Sequence, residues 1–424
     1  TSVTTIGNRA FYYCESLRVV DFSEGLKTIG EYAFAQTSLV NAILPDSLTK
    51  VGNSAFYSCT ELQIVYIPLK VSTIESYAFY YCNNATIYIA AISKPYGWSS
   101  NWFYQATTKY SSSKIGLQND LVFQIKESEN NTSYAVLLQY YGSDRFFSLP
   151  EKVSLDNQLY SLSAIEKDAF TISPQLRGLY IGKSIQTIDS YAFDASNLKV
   201  FCESAIKPSG YEGGWDNRID SVQYGIIDPI VEDDFLYQIT RQTNGTSEAT
   251  LLLYFGQETQ IKVNATIVVL GTSVSVTKIG DGAFEGIASL THVVLSDTIT
   301  SLGKEAFRDC TSLIEIDFGS SLTVIDDSCF YGCTSLETLI LPSTLQALGS
   351  SAFEECRTLK SITFEGELTS IGEKTFRNCV SLTSVELPST LQVISDYAFY
   401  GCTSLANIDL PDSLLEIGDS AFQN

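Results

Sequence analysis

A single histidine, His292, limits the chemistry open to this chain of 424 residues. Ser-His-Asp and Cys-His catalysis need an imidazole to take a proton, and most zinc sites need one as a ligand. His292 lies in T-H-V-V-L with no partner pattern around it, which reads as an exposed strand position. The run Val231-Glu232-Asp233-Asp234 is acidic, but it lacks the alternating ligands and the glycine of a calcium loop. No phosphate-binding loop, dinucleotide fingerprint or H-E-x-x-H motif occurs. Glycoside cleavage needs two carboxylates at a set separation, and no spacing here singles out a pair. The expectation is therefore no catalytic residue, no metal, no cofactor and no enzyme.

Ten cysteines remain as reactive groups. Eight of them, Cys14, Cys59, Cys82, Cys310, Cys333, Cys356, Cys379 and Cys402, stand three residues after a phenylalanine. That regular placement argues against disulfides. Equivalent side chains on stacked coils point in parallel rather than toward each other. Buried free thiols acting as small hydrophobes are expected.

The elements that position these groups come from a repeat. The unit A-F-x-x-C-x-S-L-x-x-V-x-L-P-x-S-L-x-x-I returns every 23 residues, marked by Phe284, Phe307, Phe330, Phe353, Phe376, Phe399 and Phe422. A unit this short cannot bury its own apolar face and must stack on its neighbours. Leu382, Val385 and Leu387 have the L-x-x-L-x-L spacing of a strand facing a core, and Pro388 ends it for want of an N–H. Leu391 and Ile394 form a second ledge, and Ala398-Phe399 opens a helical or 3₁₀ turn. The expected fold class is α/β: a right-handed leucine-rich repeat solenoid with a parallel sheet on its concave face, one strand per coil.

The pattern resembles the BspA-type, or treponemal, leucine-rich repeats over residues 1–82, 165–200 and 279–424. The resemblance implies a secreted or surface-attached bacterial protein, in a family with members that adhere to host matrix proteins and other cells. The chain opens and stops within a repeat, so a fragment or mature portion of something longer is expected.

Between the repeats, residues 83–164 and 201–278 are two copies of a different segment. K-P-Y-G-W from Lys94 answers K-P-S-G-Y from Lys207, L-V-F-Q-I from Leu121 answers F-L-Y-Q-I from Phe235, and Y-Y-G at Gly142 answers Y-F-G at Gly256. Phe79, Phe193 and Phe307 are each 114 apart, so a superrepeat overlies the short one. Alternating apolar runs around Asn131 and Asn244 predict a β-hairpin in each copy. Five divisions follow: repeats at 1–82, 165–200 and 279–424, and irregular β segments at 83–164 and 201–278. Two readings stand: one continuous superhelix with decorated coils, or three stacks joined by β modules.

The net charge of -22 and the absence of any Lys/Arg cluster disfavour nucleic acid and anionic membrane. No run approaches the length of apolar residues that a membrane span needs. Candidate binding residues on the outward strand positions are Asn41, Ile43, Ile64, Tyr66 and Tyr180. Trp98, Trp102, Tyr211 and Trp215 in the paired loops read either as clamps onto the solenoid flank or as an aromatic platform. The function expected is a non-catalytic, extracellular or cell-surface, adhesin-like scaffold for a protein partner, with host matrix protein or glycan as candidates. A structural spacer presenting other domains is the alternative.

Overall fold

The computed structural model describes residues 3–110, 114–171, 173–194 and 197–424. It is a β-solenoid of stacked, parallel strands in two compact units, Thr1–Tyr224 and Gly225–Asn424. The expected α/β class is corrected: among the described residues there is no helix.

The turn at the repeat phenylalanine shows why. Tyr32 and Gln36 take φ of 52° and 59°, which aims alternate N–H groups along the stack. Tyr32, Phe34 and Gln36 then donate to the carbonyls of Asn53, Ala55 and Tyr57 in the next coil, at 2.7–3.0 Å. A helix would need those same donors for its own i−4 carbonyls. Stacking wins because it satisfies them and buries the phenylalanine.

In the first unit each coil carries two strand segments rather than one. Thr5–Ile6, Thr28–Ile29, Lys50–Val51 and Thr73–Ile74 form a short parallel ladder. Asn41–Ile43, Ile64–Ile67, Thr86–Ile89 and Thr107–Tyr110 form a longer one. The stack thus continues past residue 82 through the K-P-Y-G-W loop, in which Trp98 bridges Ile74 in parallel. Gly97 permits this, because a Cβ there would strike the Ser72 carbonyl, and a Cβ at the matching Gly210 would strike that of Gln186.

Down the stack's middle, Phe11, Phe34, Phe56 and Phe79 lie face to face with centroids 4.9–5.3 Å apart, and Trp102 ends the column edge-on at 5.9 Å. Such pairs add about 0.5–1.5 kcal/mol each beyond their burial.

Ile115–Gln118, Leu121–Glu127 and Ser133–Tyr140 pair antiparallel, and Ser133–Tyr140 then pairs parallel with Gln158–Ile165. It thereby starts a second column, Tyr140, Phe170, Phe193 and Trp215, with neighbouring centroids 5.0–5.7 Å apart. The tyrosine ring lies over Gly142, where any Cβ would collide with it, and Tyr254 sits over Gly256 in the same way. These contacts account for the paired Y-Y-G and Y-F-G motifs.

The second unit repeats the plan. Phe235–Arg241 and Ser247–Tyr254 pair antiparallel, and Ser247–Tyr254 pairs parallel with Thr272–Ile279. Its column runs from Tyr254 through every repeat phenylalanine to Phe422, with spacings of 4.7–5.6 Å.

Candidate protein-binding surface

Of the residues nominated on the strand face, Ile43, Ile64 and Tyr66 point out of the sheet, but the antiparallel strands of the same unit lie over them. Ile64, Tyr66 and Tyr88 pack with Ile115, Val122 and Leu138 in one buried cluster, with Ile43 partly buried at its edge. Asn41 is fully buried, and the Gln139 amide donates to the Gln63 side chain across the seam. Tyr180, the superrepeat counterpart of Tyr66, is also buried. The expectation that these side chains are exposed is therefore corrected. Strand alternation fixes which way they point, while the cover of Ile43, Ile64 and Tyr66 comes from the later strands Ile115–Gln118, Leu121–Glu127 and Ser133–Tyr140.

The loop aromatics are interior too. Trp102 and Trp215 are 0% exposed, and Trp98 and Tyr211 stand edge-on to them at 5.2 and 5.3 Å. The Trp98 indole N–H donates to the Val71 carbonyl at 2.9 Å. Of the two readings these residues allowed, the geometry is that of clamps.

A groove of about 230 Å³ opens at the edge of the covered sheet, lined by Asp21, Ile43, Asp46, Tyr66, Lys114 and Asp156. Lys114 pairs with Asp156, and burial followed by Asp46 and Asp156 pushes the Tyr66 phenol up. His292 donates to or accepts from the Thr291 hydroxyl at 2.9 Å and stands 4.0 Å from Glu315. Among the described residues no three His, Cys, Asp or Glu side chains are grouped to hold a metal ion. No helix is long and apolar enough to cross a membrane.

Another surface escaped the sequence reading. The turns beside the first phenylalanine column carry Tyr57, Tyr77, Tyr80, Tyr81 and Tyr104 in mutual contact. Tyr80 stacks on Tyr104 at 5.0 Å and on Tyr57 at 6.3 Å, and meets Tyr77 and Tyr81 edge-on at 5.1 and 4.9 Å. Tyr77, Tyr81 and Tyr104 are 41%, 42% and 45% exposed. Desolvation, and then the phenols of Tyr81, Tyr104, Tyr77 and Tyr57, push the Tyr80 phenol up. The stacking arises because the solenoid puts equivalent turn residues on adjacent coils about one strand spacing apart. F-Y-Y-C at Phe79–Cys82 signalled it, had the residues after each phenylalanine been read down the repeats rather than along them.

Stacked parallel strands with a phenylalanine core define the chain as a leucine-rich-repeat-like β-solenoid. Six copies of the BspA type leucine rich repeat region match residues 1–108, 136–205, 263–381 and 369–424, and the chain belongs to that family. A search of the curated proteins finds no match. Similar solved structures include a T. pallidum leucine rich repeat protein at 27% identity, covering 44% of this chain and 85% of that one with TM-score 0.40. A leucine rich cell surface protein of Faecalibacterium prausnitzii A2-165 is 19% identical over 99% of this chain and 88% of its own, with TM-score 0.35. The pneumococcal vaccine antigen PcpA is 15% identical over 72% and 98%, with TM-score 0.31.

Proposed function

We propose that this chain is a non-catalytic, protein-binding scaffold displayed on or outside a bacterial cell, and that the tyrosine ridge of its first unit is a contact surface. The observation that carries this reading is the ridge itself. Tyrosine gives large contact area at low conformational entropy cost, with a polar tip that tolerates water in the unbound state. A rigid aromatic surface of this kind is suited to shape recognition. The surface location and the adhesin-like role follow from what membership of the family implies. A right-handed coil is part of this reading, since parallel crossovers take that hand almost without exception.

A second reading, a spacer, is favoured for Gly225–Asn424 by its unbroken aromatic column from Tyr254 to Phe422. The test is a binding screen of the chain against extracellular-matrix proteins and glycans at physiological salt. A saturable protein hit that weakens in Tyr77→Ser/Tyr81→Ser/Tyr104→Ser, in a variant that still unfolds cooperatively at a somewhat lower temperature, is expected. No hit, or a hit indifferent to those substitutions, favours the spacer.

A further inference from the structure

On this edge of the solenoid Tyr32, Tyr191, Tyr331 and Tyr400 are covered by cations of the chain itself, while among the described residues Tyr12, Tyr13 and Tyr397 are not. In the second unit the residues following successive repeat phenylalanines are Glu285, Arg308, Tyr331, Glu354, Arg377 and Tyr400. Arg308 lies 5.4 Å over the Tyr331 ring, and Arg377 lies 5.6 Å over Tyr400 while pairing with Glu354 at 2.9 Å. That edge is self-neutralised.

The superrepeat allows a closer comparison. Tyr77 and Tyr191 are counterparts, 114 residues apart. The Tyr191 ring is flanked by Lys167 at 5.9 Å and Arg218 at 5.0 Å. The residues that correspond to this lysine and arginine beside Tyr77 are Asn53 and, with Trp102 aligned to Trp215 in the paired loops, Gln105. From residue 51 to residue 93 the only Lys or Arg is Lys70, and Lys50 just before this stretch is held by Glu75 at 2.7 Å rather than by a ridge tyrosine. Among the described residues, no cation stands over Tyr57, Tyr77, Tyr80, Tyr81 or Tyr104; the cations that lie over rings do so at Tyr32, Tyr88, Tyr191, Tyr331 and Tyr400.

We infer that the tyrosine ridge takes arginine or lysine side chains from a basic segment of a partner protein, which occupy the places that Lys167 and Arg218 fill beside Tyr191. The ring faces are electronegative and attract a cation within about 6 Å. The net charge of -22 draws such a segment toward the chain. This inference rests on the scaffold reading and names its partner's chemistry.

The test uses the full chain and a short peptide of alternating Arg and Gly, beside its citrulline counterpart, by calorimetry at physiological salt. Asn53→Lys/Gln105→Arg restores the chain's own cations around Tyr77. It should weaken the Arg peptide roughly tenfold, as expected for loss of one or two exposed ring–cation contacts. A charge-matched control in the second unit, Ser389→Lys/Gln392→Lys, should change binding far less, and the citrulline peptide should not bind. Equal weakening in both double variants would show bulk charge attraction alone and overturn the inference. So would absence of saturable binding to the Arg peptide, or equal binding of the citrulline peptide. Two mixed outcomes separate this inference from the scaffold reading. Matrix-protein binding lost in the triple tyrosine variant but kept by Asn53→Lys/Gln105→Arg sinks the cationic chemistry and leaves the scaffold. Arg-peptide binding with a blank protein screen does the reverse.

Discussion

The cysteine position does a job that hydrophobicity alone does not describe. The thiols of Cys59, Cys82, Cys310, Cys333, Cys356, Cys379 and Cys402 each donate to the carbonyl of the repeat phenylalanine one coil earlier, at 3.1–3.2 Å. Ser173 fills the same place in the second stack, donating to Tyr140 at 3.2 Å, whereas Thr37 in the shortened coil donates to its own coil's Phe34 carbonyl at 2.9 Å. What the position requires is a small side chain with a donor. Sequence pattern revealed the ladder and its size limit, but the acceptor belongs to another coil and could not be read. Cys379→Ala should therefore cost about 0.5–1.5 kcal/mol, since the Phe353 carbonyl loses the thiol but keeps the Cys356 N–H at 3.3 Å, whereas Cys379→Ser should cost less. Urea midpoints compare the two. Burial also pushes the thiols of Cys59, Cys82, Cys333, Cys356, Cys379 and Cys402 up, Cys402 to about 12, and it pushes Cys202 outside the ladder to about 12 as well, from 9.0. A raised value means that the folded state holds its protons longer than the unfolded state. Stability is then full below about pH 9 and falls as pH rises toward 12, by up to about 1.4 kcal/mol per buried thiol for each pH unit. A urea midpoint that is level from pH 7 to pH 10 would contradict this.

At the scale of elements, the repeat was legible and its cover was not. The period located the phenylalanine columns and both apolar ledges, because each residue there meets the same residue of the next coil. It gave the turn a helical reading, because a short Ala-Phe segment looks alike whether its N–H groups point along the chain or along the stack. The strand face was harder still. Ile64, Tyr66 and Tyr88 look like an open patch until the strands at 115–140 fold back over them. Leu138→Asp would place an unpaired charge against these rings and should cost about 3–5 kcal/mol. Ile340 occupies the same outward strand position in the second unit and is 62% exposed. Ile340→Asp should stay within about 0.5 kcal/mol of the parent protein. Equal losses in the two variants would mean that the first unit's sheet is not covered as described.

For the whole molecule, burial of the strand face and of all three tryptophans shifts attention to the solenoid's edge. Two edges of one fold have been given different chemistry. One alternates Glu, Arg and Tyr and closes on itself, while the other is nearly all tyrosine in a stretch poor in cations. The repeat makes this difference cheap to evolve, since turn residues can change without disturbing the columns that hold the coils together. The most direct measurement is binding of the full chain to a matrix protein found in the screen, compared between two triple variants. One carries Tyr77→Ser/Tyr81→Ser/Tyr104→Ser on the edge of the first unit, and the other carries Val294→Ser/Ile340→Ser/Thr363→Ala on the strand face of the second. Weakened binding in the first variant, with the second binding like the parent protein, is the predicted result. Loss only in the strand-face variant would contradict the account and return the contact surface to the sheet.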